Sequence, residues 1–190
     1  MRVLSNNFFF RSFTVLTVLV SLSNCANSPS QPNDTPISEG IEKNRDPKET
    51  IEDLVVWLEK HPDQADERSC FELDGVDAFA IDTVCLDNYI ATLKNTGLFS
   101  KSYLEDLRIE FIDMGSEIKS EGYAPTKDYD RYVNSQDPPS SETVLNLIKK
   151  TAVTMDGENK AMLKLTFDPE YSLTYQLVKE ADGWKVSLIE

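Results

Sequence analysis

Along this chain the spacing of apolar residues changes several times, and each change marks an element. Phe13 to Leu22 is an almost unbroken apolar run. From Ala26 to about Arg45 there is almost nothing to bury. Helical spacing then takes over: Ile51, Leu54, Val55 and Leu58 recur at i, i+3, i+4 and i+7, the stripe of an amphipathic helix. Asp46 is a good N-cap for it, Pro47 suits the first helical position, and Glu49 completes a capping box. His61-Pro62 stops it, and His61, the only histidine of the chain, reads as part of that helix end rather than as a catalytic group. Residues 63–86 show no period and many acids.

A short helix is predicted over Asp87 to Lys94, with Tyr89, Ile90 and Leu93 on one side and Asn95-Thr96-Gly97 at its end. A longer one follows, capped by Ser102 with Glu105. Its stripe is Leu104, Leu107, Phe111, Met114 and Ile118, and Gly122 stands at the C-terminal glycine position. Residues 123–141 form a loop with three prolines. Beyond it the period drops to two. Ala161, Leu163, Leu165 and Phe167 alternate with polar neighbours. So do Tyr171, Leu173, Tyr175 and Leu177, and then Trp184, Val186 and Leu188. Turn residues separate these runs at Asp156–Asn159, Asp168–Glu170 and Ala181–Gly183. With Val144–Met155 as a first strand, the C-terminal third is a four-stranded antiparallel meander. Its apolar face needs the upstream helices as cover, so the expected class is α+β.

The N-terminus carries an address. Arg2 and Arg11 precede the apolar run, which is too short to span a bilayer and reads as a secretory signal over residues 1–24. The run ends in Leu22-Ser23-Asn24-Cys25, which resembles the lipobox of bacterial lipoproteins. Leu22, Ser23 and Cys25 match; Asn24 departs from the usual Gly, Ala or Ser. The resemblance implies that Cys25 becomes the lipidated N-terminus, its acyl chains (palmitate among them) anchoring the protein to the cell envelope. Ala26 in place of Asp implies the outer membrane, facing the periplasm. Ordinary cleavage after Ser23 is the alternative. Residues 25–45, with Pro29, Pro32 and Pro36, then form a flexible tether spanning roughly 25 Å as a coil. Residues 46–190 are left as one domain, with an insertion at about 61–86.

Composition narrows the chemistry. Nineteen basic residues face 33 acidic ones, for a formal charge of −14. Loss of residues 1–24 removes two arginines and no acid, which takes it to −16. Nucleic acid is therefore an unsuitable partner. One histidine, three cysteines and seven glycines leave few parts for zinc sites, Cys–His nucleophiles or phosphate loops, so no cofactor is expected. Cys70 and Cys85 would pair in an oxidising periplasm, the alternatives being two buried thiols or a thiolate metal site. Asp128, Asp130 and Asp137 with Asn134 hint at calcium ligands, but the glycine and terminal glutamate of an EF-hand are missing. The loop reads instead as a solvated surface for a ligand or partner, through Asp128, Asp130, Gln136 and Asp137.

Helices followed by a meander whose last hairpin reads Ala181-Asp182-Gly183-Trp184-Lys185-Val186 resemble the cystatin-like, nuclear-transport-factor-two-like fold. The loop from Asp128-Tyr129-Asp130 to Gln136-Asp137 is similar to that of an uncharacterised family of exported bacterial proteins of this fold. The resemblance implies a curved sheet around the long helix, with the loop near the rim of a concave face. It brings no catalytic residues. Two functions of different class follow. One is a non-enzymatic binding or interaction lipoprotein, of inhibitor or immunity type, taking a basic protein or a small molecule. The other is an isomerase- or dehydratase-like enzyme using a pocket carboxylate with Tyr171 or Tyr175, which share the inward register. Binding of cations by the spread acidic surface is a third reading.

Overall fold

A computed structural model describes residues 45–127 and 130–190. They belong to one compact unit, Ser38–Glu190. Cys25, the signal segment and most of the tether lie outside the described residues, as does Asp128. The class is α+β, and the C-terminal sheet is a four-stranded antiparallel meander behind helices.

Helix α1 (Pro47–Lys60) starts as its sequence dictates. Asp46 accepts the N–H groups of Lys48 and Glu49, and the Glu49 carboxylate returns to the Asp46 N–H at 3.0 Å. His61 closes it: its N–H reaches Trp57 O, and its ring stacks on the Trp57 indole. A single turn, α2 (Pro62–Ala65), and a 3-10 turn (Glu67–Cys70) follow.

The aperiodic stretch is nevertheless ordered. Strands β1 (Phe71–Asp74) and β2 (Asp77–Ile81) form a hairpin, joined by β3 (Ala124–Pro125) into a small antiparallel sheet. β1 does alternate, Phe71 and Leu73 with Glu72 and Asp74, but four residues are too short a run to stand out as a strand. The turn dipeptide Asp74-Gly75 is the available signal. Helix α3 (Thr83–Thr96) begins four residues before the predicted Asp87, because Asp82 caps it through the N–H groups of Val84 and Cys85. Helix α4 (Lys101–Glu121) is capped by Ser100, whose Oγ accepts Tyr103 N–H, and not by Ser102. Tyr103, Leu107 and Phe111 are its buried positions; Met114 and Ile118 are half-buried. Gly97 and Gly122 end α3 and α4 in the left-handed conformation that glycine adopts without strain.

The largest correction concerns residues 144–150. They form helix α5 (Ser141–Lys150), not a first strand. Ser140 caps it after Pro138-Pro139, Glu142 sits in its first turn and Lys149-Lys150 in its last. Val144 and Ile148 are one turn apart and both buried. The first strand is therefore only β4 (Thr154–Asp156), followed by β5 (Lys160–Thr166), β6 (Ser172–Glu180) and β7 (Gly183–Ile189) in the order β4-β5-β6-β7.

The core lines the inward face of this sheet. Leu163, Leu165, Leu173, Tyr175, Leu177 and Val186 are almost wholly removed from water. Helix α1 lies on β5 and β7 and against α5, while α4 meets β7. A register shift pairs Leu177 with Val186 but Gln176 with Leu188, leaving Ser187 as a bulge. Leu188 is thereby turned outward and Ile189 is packed against the core, the reverse of strict alternation.

Candidate functional site

The loop singled out in the sequence is shaped by its own polar groups and bonded by two tyrosines, Tyr175 of β6 and Tyr171 just before it. Asp130 Oδ1 accepts the N–H groups of Tyr132 at 2.7 Å and Val133 at 3.2 Å. The Asp130 N–H donates to Ser135 O at 3.0 Å, and Asn134 takes a positive φ of 50°. Asparagine tolerates that conformation better than most residues. Tyr175, at the centre of β6, donates its hydroxyl to Tyr132 O at 3.0 Å, and Tyr171 donates to Val133 O.

A buried charge cluster clamps the loop sideways. Arg131 donates Nε and Nη2 to Glu67, each at 2.7 Å, and Nη1 and Nη2 to Glu110 at 2.8 and 3.1 Å. Both contacts are two-point, the geometry in which guanidinium and carboxylate bind best. Glu67 comes from the 3-10 turn and Glu110 from the middle of α4, so one side chain ties three separate segments. Lys127 adds a second cation to Glu110 at 3.0 Å. The Arg131 guanidinium also stands 6.0 Å from the centre of the Phe111 ring. Its side chain is 11% exposed and that of Glu67 14%.

Burial opposes charge here and the pairing overcomes it. Desolvation alone would raise the Glu110 carboxyl; Arg131, with help from Lys127, holds it below the usual carboxylate range. Desolvation would lower the Arg131 guanidinium, and Glu67 and Glu110 push it up instead. Beside the cluster, the Tyr89 hydroxyl lies 2.5 Å from that of Tyr132 and 3.4 Å from Glu67 Oε2. Burial pushes Tyr89 and Tyr132 far above the ordinary phenol value. The same burial raises Tyr103 and Tyr175.

The covalent staple belongs to the same construction. Cys70 and Cys85 lie at disulfide-bonding distance, with Cα atoms 5.4 Å apart, joining the end of the 3-10 turn to the first turn of α3. Glu67 is three residues upstream of Cys70, and Asp66 caps that turn through Arg68 N–H at 2.9 Å.

Among the described residues three concavities border the clamp, and two of them extend away from it. One, of about 290 Å³, lies between α1, α2 and the loop, with Leu58, Pro62, Arg68, Asp130 and Tyr132 in its walls. The other is a groove of about 660 Å³ along α4, walled on its far side by Pro125 and Thr126. Asp106, Asp113 and Glu117 edge this groove and make no ion pair or hydrogen bond through their carboxylates with another described residue. Ile109, half exposed, lies among them.

Of the residues proposed from sequence, Asp130 is the turn's organiser and is exposed. Gln136 and Asp137 are exposed just beyond it, and the Asp137 N–H bonds Ser135 Oγ. Tyr175 is inward and wholly buried. Tyr171 precedes β6, is half-buried and stacks on Phe167, so the two do not share a strand register. Among the described residues no group of three or more His, Cys, Asp or Glu side chains is placed to hold a metal, and no helix is long and apolar enough to cross a membrane.

Arg131, Glu67 and Glu110 do not stand out in the sequence. The available signal is an arginine between an acid and an aromatic residue, Asp130-Arg131-Tyr132, in a mostly acidic loop. Its partners are 64 and 21 residues away and carry no local mark. Comparison of the chain with protein families, curated proteins and solved structures finds no match.

Proposed function

We propose that this protein is a lipid-anchored lipoprotein of the bacterial envelope, on the periplasmic face of the outer membrane. Its globular part, of cystatin-like and nuclear-transport-factor-two-like kinship, acts as a non-enzymatic interaction module. The partner is a basic protein, met in the manner of an inhibitor or immunity protein. It engages the loop around Asp130, Gln136 and Asp137 together with the acidic flank of α4.

The observation that carries the reading is how the polar groups under the loop are spent. The carboxylates of Glu67 and Glu110 are occupied by Arg131, and the hydroxyls of Tyr171 and Tyr175 are donated to loop carbonyls. Groups committed in this way preorganise a surface, which lowers the ordering cost of binding. Asp106, Asp113 and Glu117, by contrast, are left for an incoming cation. A formal charge of −14 favours encounter with a basic protein at low salt.

Two measurements test this. Mass spectrometry of the mature N-terminus is expected to find Cys25 acylated; an unmodified terminus at Asn24 or elsewhere overturns the anchor. Cross-linking in envelope preparations, at low and high salt, is expected to yield one basic protein. Its yield should fall with salt and with the charge reversals Asp113→Lys and Asp137→Lys. A partner retained equally by those variants overturns the assigned surface.

A further inference from the structure

A separate concavity, away from the loop, lies where the end of α3, the start of α4 and the β6–β7 turn meet. Its volume is about 550 Å³, within the range of small-molecule sites. Ile90, Phe99 and Leu104 give it an apolar floor, and Lys94, Lys101, Arg108 and Lys185 stand around it. In a chain with 19 basic residues against 33 acidic ones, this is a local reversal of charge.

Among the described residues, two of the three acids lining the cleft are bound by groups of the cleft itself. Glu180 Oε1 accepts the backbone N–H of Lys101 at 3.2 Å, and Asp182 pairs with Lys185 at 3.0 Å. Arg108 pairs with Asp87 outside the cleft at 2.9 Å, both side chains being more than half exposed and open to exchange. The ammonium groups of Lys94 and Lys101 make no ion pair with another described residue. Glu105 is the one further acid among the described residues that line the cleft.

Lys185 stands in the inner wall, paired with Asp182. Its side chain is 4% exposed, and its Nζ donates to Gly97 O, the carbonyl that follows the last turn of α3. A buried ammonium is tolerated only when paired, and the carbonyl end of a helix is where a cation is favoured. The charge of Lys185 is thus answered by Asp182, and the cations open to a ligand are the exposed Lys94 and Lys101.

From this arrangement we infer a binding site for an amphipathic monoanion: one carboxylate or phosphate head on an unbranched apolar chain. The head lies between Lys94 and Lys101, and the chain runs over Ile90, Phe99 and Leu104. The net charge of the protein disfavours a polyanion, and the apolar floor disfavours a small hydrated ion such as free phosphate. This inference does not depend on the partner assigned to the loop.

Titration of the isotope-labelled full chain, followed by amide shifts and calorimetry, tests it. The probes are dodecanoate below its micellar concentration, dihexanoylphosphatidylglycerol, dihexanoylphosphatidylcholine, dodecyltrimethylammonium and inorganic phosphate. Saturable shifts at Gly97, Lys101 and Lys185 are expected with dodecanoate or the phosphatidylglycerol. The stronger of the two identifies the source as a free acyl chain or a phospholipid. The zwitterionic lipid, the cationic amphiphile and phosphate should bind at least about tenfold more weakly. Lys94→Glu with Lys101→Glu, both surface changes, should weaken the anion by about tenfold or more while leaving thermal unfolding in place. Lys164→Glu, on the outer face of β5, should change nothing. No saturable binding of either anion, equal binding of the cationic amphiphile, or affinity indifferent to the double reversal would overturn the site.

Discussion

The large sheet and the loop beside it share one core but differ in the polar bonds added to it. On β5 and β6 the residues that matter never meet water: Leu163, Leu165, Leu173 and Leu177 hold the strands by removing apolar surface. Residues 130–135 put Tyr132 and Val133 into the core as well, and to that burial they add a guanidinium, two carboxylates and two phenols. Apolar burial is forgiving in direction. A charge-assisted network is not, and it fixes a surface segment in one geometry. Arg131 ties the loop to Glu67, 64 residues back in the chain, and so holds its exposed residues Asp130 and Asn134 over a fixed base. That contrast is the ground for assigning function to the loop.

The contrast can be broken experimentally, and the sheet should suffer most. Leu163→Ala, in the centre of the sheet, should cost about 3 to 4 kcal/mol, read as a drop in urea midpoint. The amide signals of residues 132–135 should keep their native pattern below the unfolding transition. Arg131→Met should cost about 3 kcal/mol, because it leaves Glu67 without its partner in a largely buried site. Here the damage should be local, with protease cutting within 128–137 under conditions where the sheet stays folded. Equal spreading of damage in both variants would erase the distinction between the two regions.

Smaller effects sharpen it. Tyr175→Phe keeps the buried ring and removes the bond to Tyr132 O, at a cost of about 1 to 2 kcal/mol. Loop amides should exchange faster in that variant while Leu163 and Leu165 stay protected. The smallest effect depends on pH. In the folded protein Glu110 titrates below its ordinary value of 4.5. Its contribution is therefore fully present above pH 4.5 and is lost as pH falls through the lower folded value. Urea midpoints from about pH 7 to about pH 3 should show wild type ahead of Glu110→Gln near neutrality, with the gap closing below pH 4.5. A gap that widens on acidification would contradict the pairing.

The legibility of the two regions in the sequence follows the same division. Apolar alternation is a local property, so β5 and β6 are visible in Ala161-Leu163-Leu165 and Leu173-Tyr175-Leu177. The capping box at Asp46 and Glu49 is visible for the same reason. In residues 144–150 Val144, Leu145, Leu147 and Ile148 stand at i, i+1, i+3 and i+4, which is helical spacing, and the strand expectation runs against it. The deciding marks are the cap at Ser140 and the lysines at the far end. The bulge at Ser187 cannot be inferred from period alone, and it reverses Leu188 and Ile189. The clamp is legible only in its middle residue. An ion pair between Arg131 and Glu67 exists because the hairpin and its staple bring distant segments together, and nothing in either local sequence announces the other. Tyr171 and Tyr175 stand out in the sequence as phenols of one inward register, suited to a pocket, while the structure donates both hydroxyls to loop carbonyls.

Native-state amide hydrogen exchange across the loop tests the central claim most directly. Wild type and Arg131→Met are compared at neutral pH. Tyr132 and Val133 N–H, bound by Asp130, should be protected in wild type and lose at least about a hundredfold of that protection in the variant, while β5 and β6 are unchanged. Fast exchange of the loop in wild type, or equal protection in both proteins, would show that the charge cluster does not hold this surface in place.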